Sequence, residues 1–218
     1  MLKWSFSSLK QYATCARQFY EVRVAKNYPT KITEQMTYGT EVHKAFEDYV
    51  NSGVPLAKNY EQYKPVIDTL MQIGGDRYTE RKMALTEDLI PCEFDAENYW
   101  VRGIADLLIV DGTEAYIIDY KTGSARYADP KQLKLMALMA FQHFPKVQDI
   151  RAGLLFTSSF SFIPEEYSRD EMAVLLSVFE VDLLRMEQSY STGKWNENPS
   201  GLCKRHCPVI SCTFNGGH

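Results

Sequence analysis

The stretch "YIIDYKTGSA", residues 116–125, runs two isoleucines straight into Asp119 and sets Lys121 two positions later, on the same face of an extended chain. A second carboxylate, Asp106, lies within "RGIADLLIV", and a hairpin turning at Asp111–Gly112 brings the two segments side by side. Two carboxylates at close range repel, and a divalent cation with oxygen ligands is the least costly remedy. Such a group suits phosphodiester hydrolysis, because the cation activates a water and polarises the phosphoryl oxygen. The lysine would stabilise charge that grows in the transition state. Taken alone, D-x-K also describes an ordinary ion pair closing a strand, which is the commoner case.

The elements that must position these residues follow from periodicity. An amphipathic helix is expected over about residues 7–24, a second over "TYGTEVHKAFEDYVNSG" ending at Gly53, and a third over about 58–73, stopped by Gly74–Gly75. On the second helix Gly39, His43 and Glu47 recur every four residues and share a face. The pattern then changes, and "YTERKMAL", "YWVRGIADLLIV" and "EAYIIDYKT" read as three strands. Asp129 and Pro130 open the helix "DPKQLKLMALMAFQHF", apolar almost all round, and "IRAGLLFTSS" is a fourth apolar strand. Strand, helix, strand in that order implies a crossover and some parallel pairing. Ser168 and Glu171 form a capping-box pattern that opens a long helix to about Tyr190. The expectation is an α/β fold in a single domain over 1–218, with a cysteine-rich tail over 196–218 packing near the N-terminal helix.

Five pieces of this chain occur in the order found in one known family: "SFSSLKQYATCARQFY" (5–20), "YGTEVHKAFE" (38–47), "RGIADLLIVD" (102–111), "IIDYKTG" (117–123) and "QLKLMAL" (132–138). The sequence thereby resembles the RecB-like branch of the PD-(D/E)XK nucleases, which includes AddB-type nuclease domains and CRISPR-associated exonucleases. The resemblance implies a restriction-endonuclease-like mixed sheet flanked by helices. It implies metal binding by His43, Asp106, Asp119 and the backbone carbonyl of Tyr120, with magnesium or manganese as the ion. It makes Lys121 the catalytic lysine, and Gln132 the glutamine that positions the lysine or the substrate. Met136 stands where the family usually has tyrosine, so the resemblance gives no basis for that helix touching DNA. His43 taken singly also reads as a hydrogen-bonded histidine on a packed helix, and Glu47 as a solvated carboxylate. Glu80, early in the first strand, could reach the same site, with no local feature to support it.

Five cysteines are present, and Cys203, Cys207 and Cys212 lie close together as C-x3-C-x4-C. Such a cluster in an intracellular chain more often binds metal than forms disulfides. Some relatives bind a four-iron–four-sulfur cluster through one N-terminal cysteine and three C-terminal ones, positions matched here by Cys15, Cys203, Cys207 and Cys212. The relatives space the last three as C-x2-C-x5-C, and His206 lies beside Cys207, so a zinc site and unmetallated thiols stay open. Cys92 is expected simply to be buried.

The net charge of −4 does not by itself favour nucleic acid, but its distribution is uneven. Met1–Lys31 carries six basic residues (Lys3, Lys10, Arg17, Arg23, Lys26, Lys31) against Glu21, hence +5, leaving −9 for the remainder. Lys10 and Arg17 are the candidate contacts to a phosphate backbone, although a solvated helix face fits the same pattern. No apolar run approaches a membrane span and no signal-peptide core is present, so an intracellular, cytoplasmic protein without a membrane partner is expected. The expected activity is a metal-dependent DNA exonuclease acting on single-stranded or unwound ends. Without a G-x-x-x-x-G-K-[ST] motif, unwinding would need a helicase or recombination partner. A non-cutting DNA-binding subunit and a site-specific endonuclease are the alternatives.

Overall fold

Alternating and apolar runs build one six-stranded sheet in a computed structural model that describes residues 2–30 and 32–216. Lys31, one of the basic residues counted above, lies outside the described residues. The strands are β1 (Asp76–Leu85), β2 (Pro91–Cys92), β3 (Val101–Asp111), β4 (Glu114–Lys121), β5 (Asp149–Phe156) and β6 (Ser161–Ser168), in the order β2-β1-β3-β4-β5-β6. All neighbours are antiparallel except β4 and β5, which run parallel. The helices are α1 (Phe6–Thr14), α2 (Ala16–Phe19), α3 (Glu34–Ser52), α4 (Lys64–Met71), α5 (Lys131–His143) and α6 (Met172–Thr192). The parallel pair is joined through α5, as the strand–helix–strand order requires.

The chain divides into two compact units, Thr33–Leu176 and Met1–Ile32 with Ser177–His218. The larger unit contains the whole sheet. Within it, Val42 and Phe46 of α3 and Ile67 of α4 pack with Leu107, Ile109, Ile118 and Tyr120 in one buried cluster. The side chain of Thr33 accepts from the Met36 amide at the start of α3, and Gly53 ends the helix at φ 64°, a conformation that glycine adopts without steric cost. Helix α5 is buried from Leu135 to Phe141, as its apolar circumference demands. It lies so close to β3 that a Cβ on Gly103 would stand 2.6 Å from Met139 and 2.7 Å from Met136. Met136 is therefore a core residue seated on a glycine.

In the smaller unit the expected continuous N-terminal helix is interrupted. Cys15 is extended, at φ −164° and ψ 110°, and ends α1 while starting α2, which passes into a π-turn over Tyr20–Val24. The Tyr12 hydroxyl meets that of Ser189 at 2.8 Å, and Phe19, Tyr20 and Tyr190 gather around Trp195. The tail is held to the N-terminal segment by the Arg17 amide, which donates to the Asn196 carbonyl (3.1 Å), and by the Asn198 amide group, which donates to the Thr14 carbonyl (3.0 Å).

Strands β1, β3, β4 and β5 fall close to their expected positions. The third helix is shorter than expected, and β2 and β6 had no counterpart in the periodicity. β6 is an edge strand that carries Pro164, a residue confined to such edges because it cannot donate to a ladder. No helix among the described residues is long and apolar enough to cross a membrane.

Candidate active site

The register of the sheet puts three carboxylates in one row. Strands β3 and β4 pair from Asp111–Glu114 up to Leu107–Ile118, and the next rung would join Asp106 to Asp119. The ladder stops there; β3 continues only along β1, and β4 only along β5. On the other side of β3, Thr79 pairs with Leu107 and Arg81 with Ala105, so the skipped rung is Glu80 opposite Asp106. Glu80 adopts φ 46°, which costs a non-glycine residue about 1–3 kcal/mol. The alternation of β3 slips at the same place. Gly103 and Leu107 would share a face in a regular strand, yet Gly103 meets α5 while Leu107 joins the α3–α4 core.

His43 reaches this row from α3. Its Nε2 lies 2.9 Å from the carbonyl of Tyr120. A carbonyl only accepts, so Nε2 carries the proton and Nδ1 is the nitrogen turned to the acids. Nδ1 stands 3.4 Å from Asp106 Oδ1 and 3.9 Å from Glu80 Oε1. His43, Glu80 and Asp106 are the one group among the described residues in which three such donors have ligand atoms all within 4.8 Å of one another. The second oxygen of Asp106 accepts from the Tyr120 amide at 2.7 Å, which fixes the carboxylate. Glu47, one turn beyond His43, is instead paired with Lys44 at 3.1 Å.

Asp119 and Lys121 are linked through the first turn of α5. The side-chain amide of Gln132 donates to Asp119 Oδ1 at 2.6 Å, and its carbonyl accepts from the Lys121 ammonium at 2.8 Å. Only one orientation of the amide serves both, since the ammonium only donates and the carboxylate only accepts. Lys121 also forms an ion pair with Asp119 Oδ2 at 2.5 Å. That oxygen is buried and has no hydrogen-bond partner beyond this ion pair.

The titration of the group reflects its crowding. Burial, and then the charge of Asp106, pushes Asp119 up to about 6, against the opposing pull of Lys121 and His43. Burial and Asp106 likewise raise Glu80. For His43, burial pulls downward, but the hydrogen bond and charge of Asp106 outweigh it and the imidazole titrates above its ordinary value. Three acids against one lysine and one histidine make a site with excess negative charge and oxygen-rich donors, the chemistry that magnesium and manganese favour.

The expected residues His43, Asp106, Asp119, Tyr120, Lys121 and Gln132 thus meet in one place. Glu80 joins them, although nothing local in the sequence distinguishes it. Counting the antiparallel register outward from the Asp111–Gly112 turn aligns Asp119 with Asp106, but placing Glu80 opposite needs the β1 register as well.

In the smaller unit, Cys15, Cys203, Cys207 and Cys212 line one cavity together with Arg17 and Phe214. None of the four is in a disulfide. Burial pushes the Cys207 thiol up, and the other three thiols add to that shift. No three of these sulfurs come within the 4.8 Å that defines the His43 group. Cys92 is half-buried on β2. Lys10 lies with its ammonium 5.5 Å from the centre of the Phe6 ring, and Arg17 pairs with Glu21 at 2.7 Å.

The sequence model of the PD-(D/E)XK nuclease superfamily matches residues 3–212. Among solved structures, a protein from Eubacterium rectale described as a "putative exonuclease" is similar at a TM-score of 0.53 and 13% identity, with 89% of this chain and 84% of that one covered. The structure of SSO0001 aligns at a TM-score of 0.43 and 12% identity, covering 99% and 88% of the two chains. At such identity the first likeness shows the fold alone. No curated protein matches the chain.

Proposed function

The chain belongs to the PD-(D/E)XK nuclease superfamily, and from that premise we propose that it is a magnesium- or manganese-dependent DNA exonuclease of the RecB-like type. The observation that carries the proposal is the row Glu80–Asp106–Asp119 beside His43 and Lys121. His43 through Nδ1, Glu80, Asp106 and Asp119 would hold the cation; the carbonyl of Tyr120, expected as a further ligand, is proposed to orient the imidazole through its bond to Nε2. A bound divalent ion supplies a water of lowered pKa and an electrophile for the phosphoryl oxygen. Lys121 places its ammonium where negative charge accumulates in the transition state. Gln132 holds that ammonium and Asp119 in fixed relation, so that neither must reorganise during the reaction. Lys10 and Arg17 are the proposed phosphate contacts of the basic N-terminal segment, within an intracellular protein that works on single-stranded or unwound ends beside a separate unwinding partner.

The cysteine cavity is proposed to hold a four-iron–four-sulfur cluster. Four thiolates around one zinc ion stand about 3.8 Å apart, given bonds near 2.3 Å. No three of the four sulfurs come within 4.8 Å of one another, which favours a larger cluster over a single zinc ion as the proposed occupant. Such a cluster would tie Cys15 to the C-terminal tail and stabilise the smaller unit.

Exonuclease and endonuclease action separate on DNA topology. The proposal expects linear single strands to be shortened to a ladder in magnesium or manganese while covalently closed single-stranded circles of the same sequence survive. Linearisation of the circles at comparable rate would contradict it in favour of an endonuclease.

A further inference from the structure

Two aromatic rings next to the candidate active site remain in solvent. Tyr38, on α3, is 39% exposed and Phe160, in the β5–β6 turn, is 53% exposed. Phe160 is also held at φ 52°, a strained conformation for a bulky residue. Single exposed apolar residues are ordinary, but these two are built into one assembly. The buried Tyr63 joins them: its hydroxyl lies 3.4 Å from that of Tyr38, and its ring centre 5.6 Å from that of Phe160. From Tyr63 the ring contacts continue through Phe46 (5.5 Å) and Tyr120 (4.9 Å) to His43 (5.9 Å).

The segments that carry the two rings adjoin the backbone that leaves Lys121. The Thr157 amide donates to the Lys121 carbonyl at 2.8 Å and the Ser158 hydroxyl to the Gly123 carbonyl at 3.2 Å, which fixes the turn that carries Phe160. On the other side, a Cβ on Gly39 would stand 3.3 Å from the Thr122 hydroxyl, so the residue after Tyr38 touches the same segment. A cavity of about 270 Å³ opens there, lined by Glu34, Gln35, Tyr38, Thr122 and Gly123. Among the described residues no lysine or arginine lines it, and Glu34 would repel a phosphate. A carboxylate, an amide and a phenol instead match the hydrogen-bonding edge of an uncharged nucleobase.

We propose that Tyr38 and Phe160 form a stacking platform for unpaired bases flanking the scissile phosphate, so that this cleft selects single-stranded over paired DNA. The inference rests on the nuclease reading above. In a duplex each base is already stacked and paired, and its face is not available to a protein ring; in a single strand every base offers one. The aromatic chain to His43 and the hydrogen bonds to Lys121 and Gly123 keep the platform in register with the reacting centre.

Binding without cleavage tests this directly. Fluorescence anisotropy with calcium in place of magnesium would compare a labelled oligothymidylate with an abasic strand of the same length. The expected result is that wild type binds the abasic strand about five- to a hundredfold more weakly, the range that one stacked base supports. Tyr38→Ala and Phe160→Ala should lose that preference with unchanged melting temperatures, and Tyr38→Phe should keep it. Equal binding of both strands by wild type, or a preference untouched in both alanine variants, would overturn the platform and leave the nuclease reading standing. Absence of binding to either strand would overturn both.

Discussion

Glu80 stands opposite Asp106 at the rung that the β1–β3 ladder leaves out, and Asp106 holds the same relation to Asp119 where β3 and β4 part. Carboxylates placed directly across neighbouring strands destabilise a sheet, and Glu80 adds a positive φ. A fold that tolerates both at one point carries a cost that a bound cation can offset, the usual exchange of stability for function.

This exchange is measurable at Glu80. Glu80→Asn removes the charge and substitutes a residue that tolerates positive φ. In EDTA the variant should be more stable than wild type by about 1–2 kcal/mol in urea unfolding, from relieved strain and repulsion. Its magnesium affinity, read by calorimetry, should fall by about tenfold or more, as loss of a charged ligand implies. A variant less stable than wild type without metal would show that neither strain nor repulsion resides at this position.

The pH dependence of the metal-free protein has a definite sign. Asp119 titrates near 6 in the folded chain against 3.8 ordinarily, and Glu80 is raised as well. Folding therefore favours their protonated forms. Their stabilising contribution is complete below the unfolded values and is lost as pH rises through about 6. His43, also raised, shifts stability in the same direction over a higher range. Asp119→Asn mimics the protonated acid. In EDTA, the melting temperature of wild type should fall relative to that of Asp119→Asn as pH rises from about 4 to about 7. Magnesium affinity of wild type should rise over the same interval. Parallel melting curves across this range would contradict the raised titration.

The cysteine cavity predicts a coloured protein. Anaerobically purified chain should contain about four irons and equivalent sulfide, with a visible absorption that Cys15→Ser abolishes. The variant should also melt at lower temperature, since the link between the N-terminal segment and the tail is gone. One zinc per chain without sulfide would replace the cluster by a zinc centre.

Much of this architecture is legible in the residues themselves. Asp119 and Lys121 follow a buried run and share a face by simple alternation, and Gly112 marks the turn that brings Asp106 alongside. Spacing puts His43 on one face of its helix with Gly39, but only the resemblance of that helix to the family's marks it as a ligand. Glu80 is not assignable from the residues alone, because its role depends on the register of β1 against β3 and on a local φ of 46° that no residue type signals. The break at Cys15 is hidden for a related reason. The neighbours of Cys15 on both sides are helical, and the tail bonds to that break through Asn196 and Asn198, contacts that helical periodicity does not signal. β6 is not legible in the periodicity, because Pro164 and two glutamates disguise an edge strand that needs only one neighbour.

The central claim, that Asp119, Lys121 and their neighbours form a metal-dependent cleavage site, is tested most directly by one time course. End-labelled single-stranded and double-stranded DNA would be incubated with magnesium, manganese or EDTA, using wild type and Lys121→Ala. Wild type should shorten the single strand progressively from one end in either metal and not in EDTA. Lys121→Ala should be slower by about a hundred- to a thousandfold, the scale of a lost transition-state electrostatic contact, with its fold and DNA affinity retained. Cleavage by Lys121→Ala at the wild-type rate, or by wild type in EDTA, would contradict the site assigned here.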